Sequence, residues 1–219
     1  MDIRMKELVI FDLDGTLVDS IDDLTTAVNQ ALKKCGWPLH TADEYRLMVG
    51  EGVLKLFERA LPKDERTEEN VLRIRDLFIP FYEIHNTDLS LPYSGIVALV
   101  DELRRRGVRM AVASNKYHAA TVKIIDHFFG VGTFEIVLGN RDGVPRKPDP
   151  TIVNEILERL GVEREKTLYV GDTSVDMLTA KNAEVDCLAV SWGFRPVVEL
   201  AEHNPLAIIE KPCQLLDYL

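Results

Sequence analysis

Two aspartates carry the clearest chemical signal in the chain. Asp12 and Asp14 sit in the segment Val9-Ile10-Phe11-Asp12-Leu13-Asp14-Gly15-Thr16. An apolar run over residues 8–11 reads as a buried strand that stops on the first acid. The period-two alternation of a strand puts both acids on one side of the chain. Two carboxylates projecting together from the end of a core strand are costly to bury and repel each other. That cost is tolerated mainly where a cation or a reaction needs the pair.

Three further sites fall where apolar strands end, the place at which open α/β sheets bind their ligands. The strand predicted over residues 108–113 runs into Ser114-Asn115-Lys116, hydroxyl and amide donors followed by a cation. The loop Arg146-Lys147-Pro148-Asp149-Pro150 sets a lysine just ahead of a helix that prolines help to start. The strand predicted over 167–170 ends in Gly171-Asp172-Thr173-Ser174-Val175-Asp176, where two acids sit four apart at the opening of a helix. Taken singly, Ser114-Asn115 reads as a helix cap, Lys147 as a solvated loop residue, and Asp172 and Asp176 as capping acids. Their joint position at the ends of parallel strands makes them a constellation with Asp12 and Asp14.

The elements that must position these groups follow two patterns. Residues 20–88 show helical spacing throughout, with Ile21, Leu24, Val28, Leu32 and Cys35 running up to Gly36. A second stretch carries Tyr45, Met48 and Val49, breaks at Gly50-Glu51-Gly52, and resumes with Val53, Leu56 and Phe57. A third carries Val71, Ile74, Phe78 and Tyr82, with Pro80 expected to kink it. From residue 92 onward helix and strand alternate. Helices are predicted over 94–106, 118–129, 149–160 and 175–183, and strands over 108–113, 134–138, 167–170, 187–190 and, more weakly, 207–209. Strands separated by single helices imply right-handed crossovers and a parallel sheet covered on both faces. The strand at 8–11 belongs to that sheet. The expected architecture is an α/β, Rossmann-like doubly wound parallel sheet core, residues 1–18 and 92–219, with an inserted all-helical cap domain, residues 19–91. Its two linkers form a hinge pair.

The 219 residues are 46% hydrophobic and 28% charged, an ordinary globular composition. A formal charge of -10 argues against nucleic acid as a partner. The three cysteines, Cys35, Cys187 and Cys213, are scattered and form no CxxC, which argues against structural zinc and favours a reducing compartment. The longest uncharged run, residues 89–100, spans 12 residues and contains Pro92 and Gly95, too short and broken to cross a bilayer. No hydrophobic leader precedes the first strand. A cytoplasmic protein with no membrane partner is expected, as monomer or homodimer.

The four sites resemble the signatures of the haloacid dehalogenase superfamily: DLDGTLVDS, the Ser-Asn after the second strand, KPDP and GDTSVD. The helical insertion is similar to that superfamily's cap, and the resemblance covers the whole chain. Three finer features look like phosphoglycolate phosphatases. These are Val49-Gly50-Glu51-Gly52 with the apolar residues after it, the stretch HNTDLSLPYSG, and the segment 169–195 ending in Ser191-Trp192-Gly193-Phe194-Arg195. Glu51 departs from the neutral asparagine expected between the glycines. A carboxylate there, facing the pocket, would disfavour an anionic substrate.

The resemblance implies a Mg²⁺-dependent phosphomonoester hydrolase whose substrate is a small phosphorylated metabolite, most directly 2-phosphoglycolate. Asp12 would attack phosphorus and form an aspartyl-phosphate, while Asp14 would protonate the leaving oxygen and then activate water. Mg²⁺ would sit between Asp12, the backbone carbonyl of Asp14 and Asp172, with Asp176 holding its waters or reaching it directly. Lys147 would counter the phosphoryl charge. Ser114, with the backbone N–H groups of Asn115 and of Gly15-Thr16, would cradle the phosphoryl oxygens. In the cap, Gly50, Glu51 and Gly52 are candidate specificity residues, and Arg46 is a candidate partner for a substrate carboxylate. A β-phosphoglucomutase-type phosphosugar mutase uses the same two aspartates and stays open at this level. So do a sugar phosphate, a nucleotide or pyrophosphate as substrate.

Overall fold

The computed structural model describes residues 5–219; residues 1–4, the first of the expected core segment, lie outside the described residues. Period-two alternation sets the central strand, β1 (Leu8–Phe11). Leu8 and Ile10 pack into one layer and Val9 and Phe11 into the other, all fully buried, so β1 must be covered on both faces. Parallel to it on either side run β4 (Arg109–Tyr117) and β6 (Thr167–Gly171), with Leu8 level with Arg109 and Thr167. The sheet continues through β5 (Ile136–Asn140), β7 (Asp186–Val190) and β8 (Ala207–Ile209), giving six parallel strands in the order β5-β4-β1-β6-β7-β8.

Helices α5 (Ile96–Arg105) and α6 (His118–Phe129) cover the Val9/Phe11 face. Helices α7 (Thr151–Leu160) and α8 (Ser174–Asn182) cover the Leu8/Ile10 face together with Leu200 of the short α9 (Val197–Ala201), a helix the sequence pattern did not suggest. The strand order reverses at β1, so a crevice opens beyond its C-terminal end, between β4 and β6.

The inserted helices are α1 (Ile21–Cys35), α2 (Ala42–Met48), α3 (Val53–Ala60) and α4 (Glu68–His85), the last running on through Pro80. They bury a cluster of their own around Phe57, Phe78 and Tyr82, into which Ala120 and Phe194 reach from the sheet domain. The two linkers pair as an antiparallel ribbon, β2 (Val18–Asp19) against β3 (Leu91–Pro92), with Val18 opposite Pro92. Asp23 binds the second linker to the start of α1. Its carboxylate accepts from the N–H groups of Leu89 and Ser90 at 3.0 and 2.9 Å and from Ser90 Oγ at 2.6 Å.

One strand differs in a way that matters. The apolar run ends at Ala113, but β4 continues to Tyr117, with a register shift between those two residues. Ser114, Asn115 and Lys116 are therefore buried strand residues and not the loop that follows a strand. Their polar groups find partners in the turn after β1, in the 147 loop and in the cap, so the strand persists where its hydrophobic pattern stops.

Candidate active site

Asp12 stands at the switch point. Its N–H donates to the Val170 carbonyl at 2.9 Å, extending the β1–β6 pairing by a residue. The chain then folds back: Leu17 and Val18 donate to the Leu13 carbonyl at 3.0 and 3.1 Å, and Gly15 donates to Val18 at 2.9 Å. Gly15 has φ +86°, and a Cβ there would lie 2.2 Å from the Asp172 carboxylate. Only glycine meets both demands. Leu13 points into the core, leaving Asp12 and Asp14 both on the wall of one cavity, as their spacing led one to expect.

Asp12, Asp172 and Asp176 are buried, and each offers a carboxylate oxygen within 4.8 Å of the others. Burial pushes the Asp12 pKa up to about 7; Lys147 opposes the shift, while Asp176 and Asp14 add to it. Burial also holds Asp172 well above the carboxylate range, helped by Asp176 and Asp12 and partly offset by the Phe194 N–H and the Thr16 hydroxyl. Such a set is short of positive charge. Oδ1 of Asp12 is buried and faces the Lys147 ammonium at 2.9 Å, which leaves a lone pair on it without a donor. Asp172 accepts one bond on each oxygen, from Thr16 Oγ1 at 2.9 Å and from the Phe194 N–H at 2.7 Å, so each keeps a lone pair. Hard oxygen donors with free lone pairs in an anionic pocket fit a divalent cation.

Asp176 differs from the other two. Its Oδ2 accepts the N–H and the Oγ1 of Thr173 at 3.0 and 2.7 Å, in a reciprocal cap that starts α8. Its Oδ1 faces Lys147 Nζ at 2.7 Å and the Tyr169 hydroxyl at 3.2 Å. Asp176 thus orients Lys147, and it is also the third of the buried acids placed to hold an ion, directly or through its waters.

Lys147 Nζ lies 2.9 Å from Asp12 Oδ1 and 3.0 Å from the Tyr169 hydroxyl. Burial alone would lower its pKa, but Asp12 and Asp176 more than reverse that and keep it charged. Sequence reasoning passed over Tyr169. Its signal was a polar atom inside an otherwise apolar buried strand, three residues before Asp172. Asn115 fixes the same loop: its Oδ1 accepts from the Lys147 N–H at 2.9 Å, and its Nδ2 donates to the Lys147 carbonyl at 3.0 Å. Ser114 lines the cavity. Its Oγ accepts from the Lys116 N–H at 3.2 Å, which leaves the hydroxyl proton free to donate.

The Asp14 carboxylate lies outside the acidic trio, held by Lys116 Nζ at 2.8 and 3.0 Å and by Ser20 Oγ at 2.5 Å, whereas the metal contact expected of Asp14 is through its backbone carbonyl. Three expectations need correction. The Gly15 and Thr16 N–H groups donate within their own turn, and the Thr16 hydroxyl donates to Asp172, so neither residue forms a phosphate cradle. Glu51 pairs with Arg59 while Gly50 and Gly52 line the cavity, so its charge does not face a substrate. Arg46 also lies off the cavity wall, 3.5 Å from Asp19, 3.8 Å from Asp43 and 5.4 Å over the Phe194 ring.

Lys116 is the residue the sequence could not assign, since its partner is 102 positions away. Burial works to lower its pKa, but Asp14 outweighs that and holds the ammonium above its ordinary value.

The cavity measures about 50 Å³.

Known proteins resemble this chain over most of its length. The sequence profile of the family described as haloacid dehalogenase-like hydrolase matches residues 9–190. Phosphoglycolate phosphatase 1 of Pseudomonas aeruginosa is 35% identical to this chain, covering 97% of it and 79% of its own length. The phosphoglycolate phosphatase of Aquifex aeolicus is 34% identical, covering 95% of this chain and 94% of its own length. A crystal structure from Lactobacillus delbrueckii subsp. bulgaricus, provisionally assigned as a phosphoglycolate phosphatase, superposes with a TM-score of 0.91 at 33% identity, covering 96% of this chain and 97% of its own. The match spans the β1 acids, the inserted helices and the β6 acids alike, and on that extent the chain belongs to the haloacid dehalogenase-like hydrolase family.

Proposed function

We propose that the protein is a Mg²⁺-dependent phosphomonoesterase for a small phosphorylated metabolite, with 2-phosphoglycolate first among substrates. Residues 1–18 and 92–219 form its catalytic unit and residues 19–91 its cap. One observation carries the reading. Asp12 has a buried carboxylate whose Oδ1 meets a charged lysine at 2.9 Å, beside a second carboxylate with free lone pairs, on the wall of a small cavity. The names of the relatives support the substrate.

A phosphate monoester resists nucleophiles by its charge, so hydrolysis needs neutralisation and alignment. Asp12 and Asp172, with the Asp14 carbonyl, would hold the ion, which supplies positive charge against the phosphoryl oxygens. Asp12 attacks phosphorus in line with the ester oxygen, and the phosphoryl group moves to its carboxylate. Asp14 gives a proton to the leaving oxygen and afterwards takes one from the water that cleaves the aspartyl-phosphate. Lys147 keeps Asp12 oriented and offsets charge on the phosphoryl oxygens, while the Ser114 hydroxyl donates to one of them. The cap excludes other water. A polyhydroxylated sugar would need several hydrogen-bonding partners, and a wall formed by Leu24, Val53, Leu56 and Phe78 provides few, which favours the small acid over a mutase substrate.

The test is phosphate release from p-nitrophenyl phosphate with and without Mg²⁺, then kcat/KM across a panel of phosphorylated metabolites. Turnover should need the ion and vanish in Asp12→Asn. Activity that survives in this variant contradicts the mechanism, and a poor rank for 2-phosphoglycolate contradicts the substrate.

A further inference from the structure

The phosphomonoesterase reading leaves a question that the cavity answers: what holds the alcohol half of the substrate. Arg46 does not reach the cavity. Among the described residues that line it, Lys116 is the one cationic side chain. Its side chain is 4% exposed. An ammonium in that setting is costly unless paired, and Asp14 pairs it. An ammonium carries three protons, and both Asp14 oxygens and the Tyr82 hydroxyl oxygen stand beside it. Tyr82 is 1% exposed, its ring lies 4.9 Å from Lys116 Nζ, and its buried hydroxyl, which can only accept from the ammonium, has no acceptor for its own proton. A charged ammonium and a hydroxyl proton without an acceptor thus share a cavity whose cap side is otherwise apolar.

Position gives the pair its meaning. In the proposed reaction Asp14 meets the ester oxygen, and Lys116 Nζ lies 2.8 Å from that same carboxylate. A group attached one or two bonds beyond the ester oxygen therefore falls against Lys116 and Tyr82. A carboxylate there would accept the Tyr82 hydroxyl proton and face the Lys116 ammonium charge.

We infer that Lys116, assisted by the Tyr82 hydroxyl, is the specificity-determining residue, binding a carboxylate borne close to the ester oxygen. The substrate class is then the small phosphorylated hydroxy acid, chosen over neutral phosphomonoesters of equal size. The inference rests on the phosphomonoesterase reading and adds to it the group that recognises the leaving half.

The experiment compares kcat/KM for 2-phosphoglycolate and ethyl phosphate, whose alcohol halves match in size and differ in charge. Wild type should prefer 2-phosphoglycolate by about 100-fold or more, the scale on which a site built for a polar group rejects an analogue lacking it. Lys116→Met should slow both substrates, since Asp14 loses its partner, but should bring the ratio down to within a few-fold of one. Tyr82→Phe should lower the ratio several-fold. A ratio unchanged in Lys116→Met would reduce Lys116 to a positioning residue for Asp14 and overturn the inference.

Should Lys116→Met fail to fold, wild type decides alone. Against p-nitrophenyl phosphate turnover, 3-phosphonopropionate should inhibit at least about tenfold more tightly than propylphosphonate, and equal inhibition would overturn the inference. Failure of the parent reading is distinct, because wild type would then turn over no phosphomonoester at all.

Discussion

Asn115 Nδ2 donates to the Gly50 carbonyl at 2.9 Å, while the same side chain holds both the N–H and the carbonyl of Lys147. One amide therefore ties the break between two inserted helices to the loop that carries Lys147. Gly50 can present its carbonyl this way because its φ of +123° turns the chain sharply between α2 and α3.

Asn115→Ala would leave these backbone groups short of partners in a buried site. At about 1–3 kcal/mol for a buried polar group left unmade, the variant should lose about 2–4 kcal/mol of stability in denaturant titration. Its kcat/KM should fall by at least about tenfold as Lys147 and the cap lose their common anchor. A variant with wild-type stability and activity would remove Asn115 from this role.

Arg195 links the parts from the opposite side. Its guanidinium donates to the carbonyls of Arg46, Leu47 and Val49, the last two at 3.1 and 2.8 Å, capping the C-terminal end of α2 from the sheet domain. Arg195→Met keeps the apolar stem and removes the donors. KM should rise by roughly tenfold with a smaller change in kcat, as expected when closure and not chemistry is weakened. Faster proteolytic cleavage in the linkers near Asp19 and Leu91 should accompany it. An unchanged KM would mean that the cap closes without this contact.

Metal and proton compete for the acidic site. The Asp12 pKa rises from 3.8 to about 7 on folding, so between those values the folded state holds a proton that the unfolded state has released. Stability of metal-free protein should therefore fall as pH rises through that window and level off above it. A divalent ion binds the ionised form, so the increase in Tm on adding Mg²⁺ should grow from about pH 5 to about pH 8. Thermal unfolding in EDTA and in Mg²⁺ across that range checks both trends. An increment that is larger at the acid end would contradict them.

Glu51 and Arg46 show what residue type alone can mislead about. Each sits near the glycines that line the cavity, and each spends its charge on a neighbour, Glu51 on Arg59 and Arg46 on Asp19 and Asp43. Side-chain direction at a helix break depends on φ and ψ values that no periodicity reveals. Lys116 shows the converse. Its ammonium reaches the cavity because β4 outlasts its apolar run, carried on by contacts with segments far along the chain.

By itself the sequence determined the strands, the inserted helices and the positions of Asp12, Asp14, Lys147 and Asp172 at strand ends, since burial with a period of two or 3.6 is a local property. The tertiary structure alone decided which charges meet. Asp14 meets Lys116 and Thr16 meets Asp172 across separations of 102 and 156 residues, and Asp176 spends its lone pairs on Lys147 and on the start of α8. Those pairings follow from the reversal of strand order at β1, which brings the ends of β4 and β6 to either side of Asp12. Strand order is set by long-range packing of both faces of the sheet, and it leaves no mark on the spacing of residues along the chain.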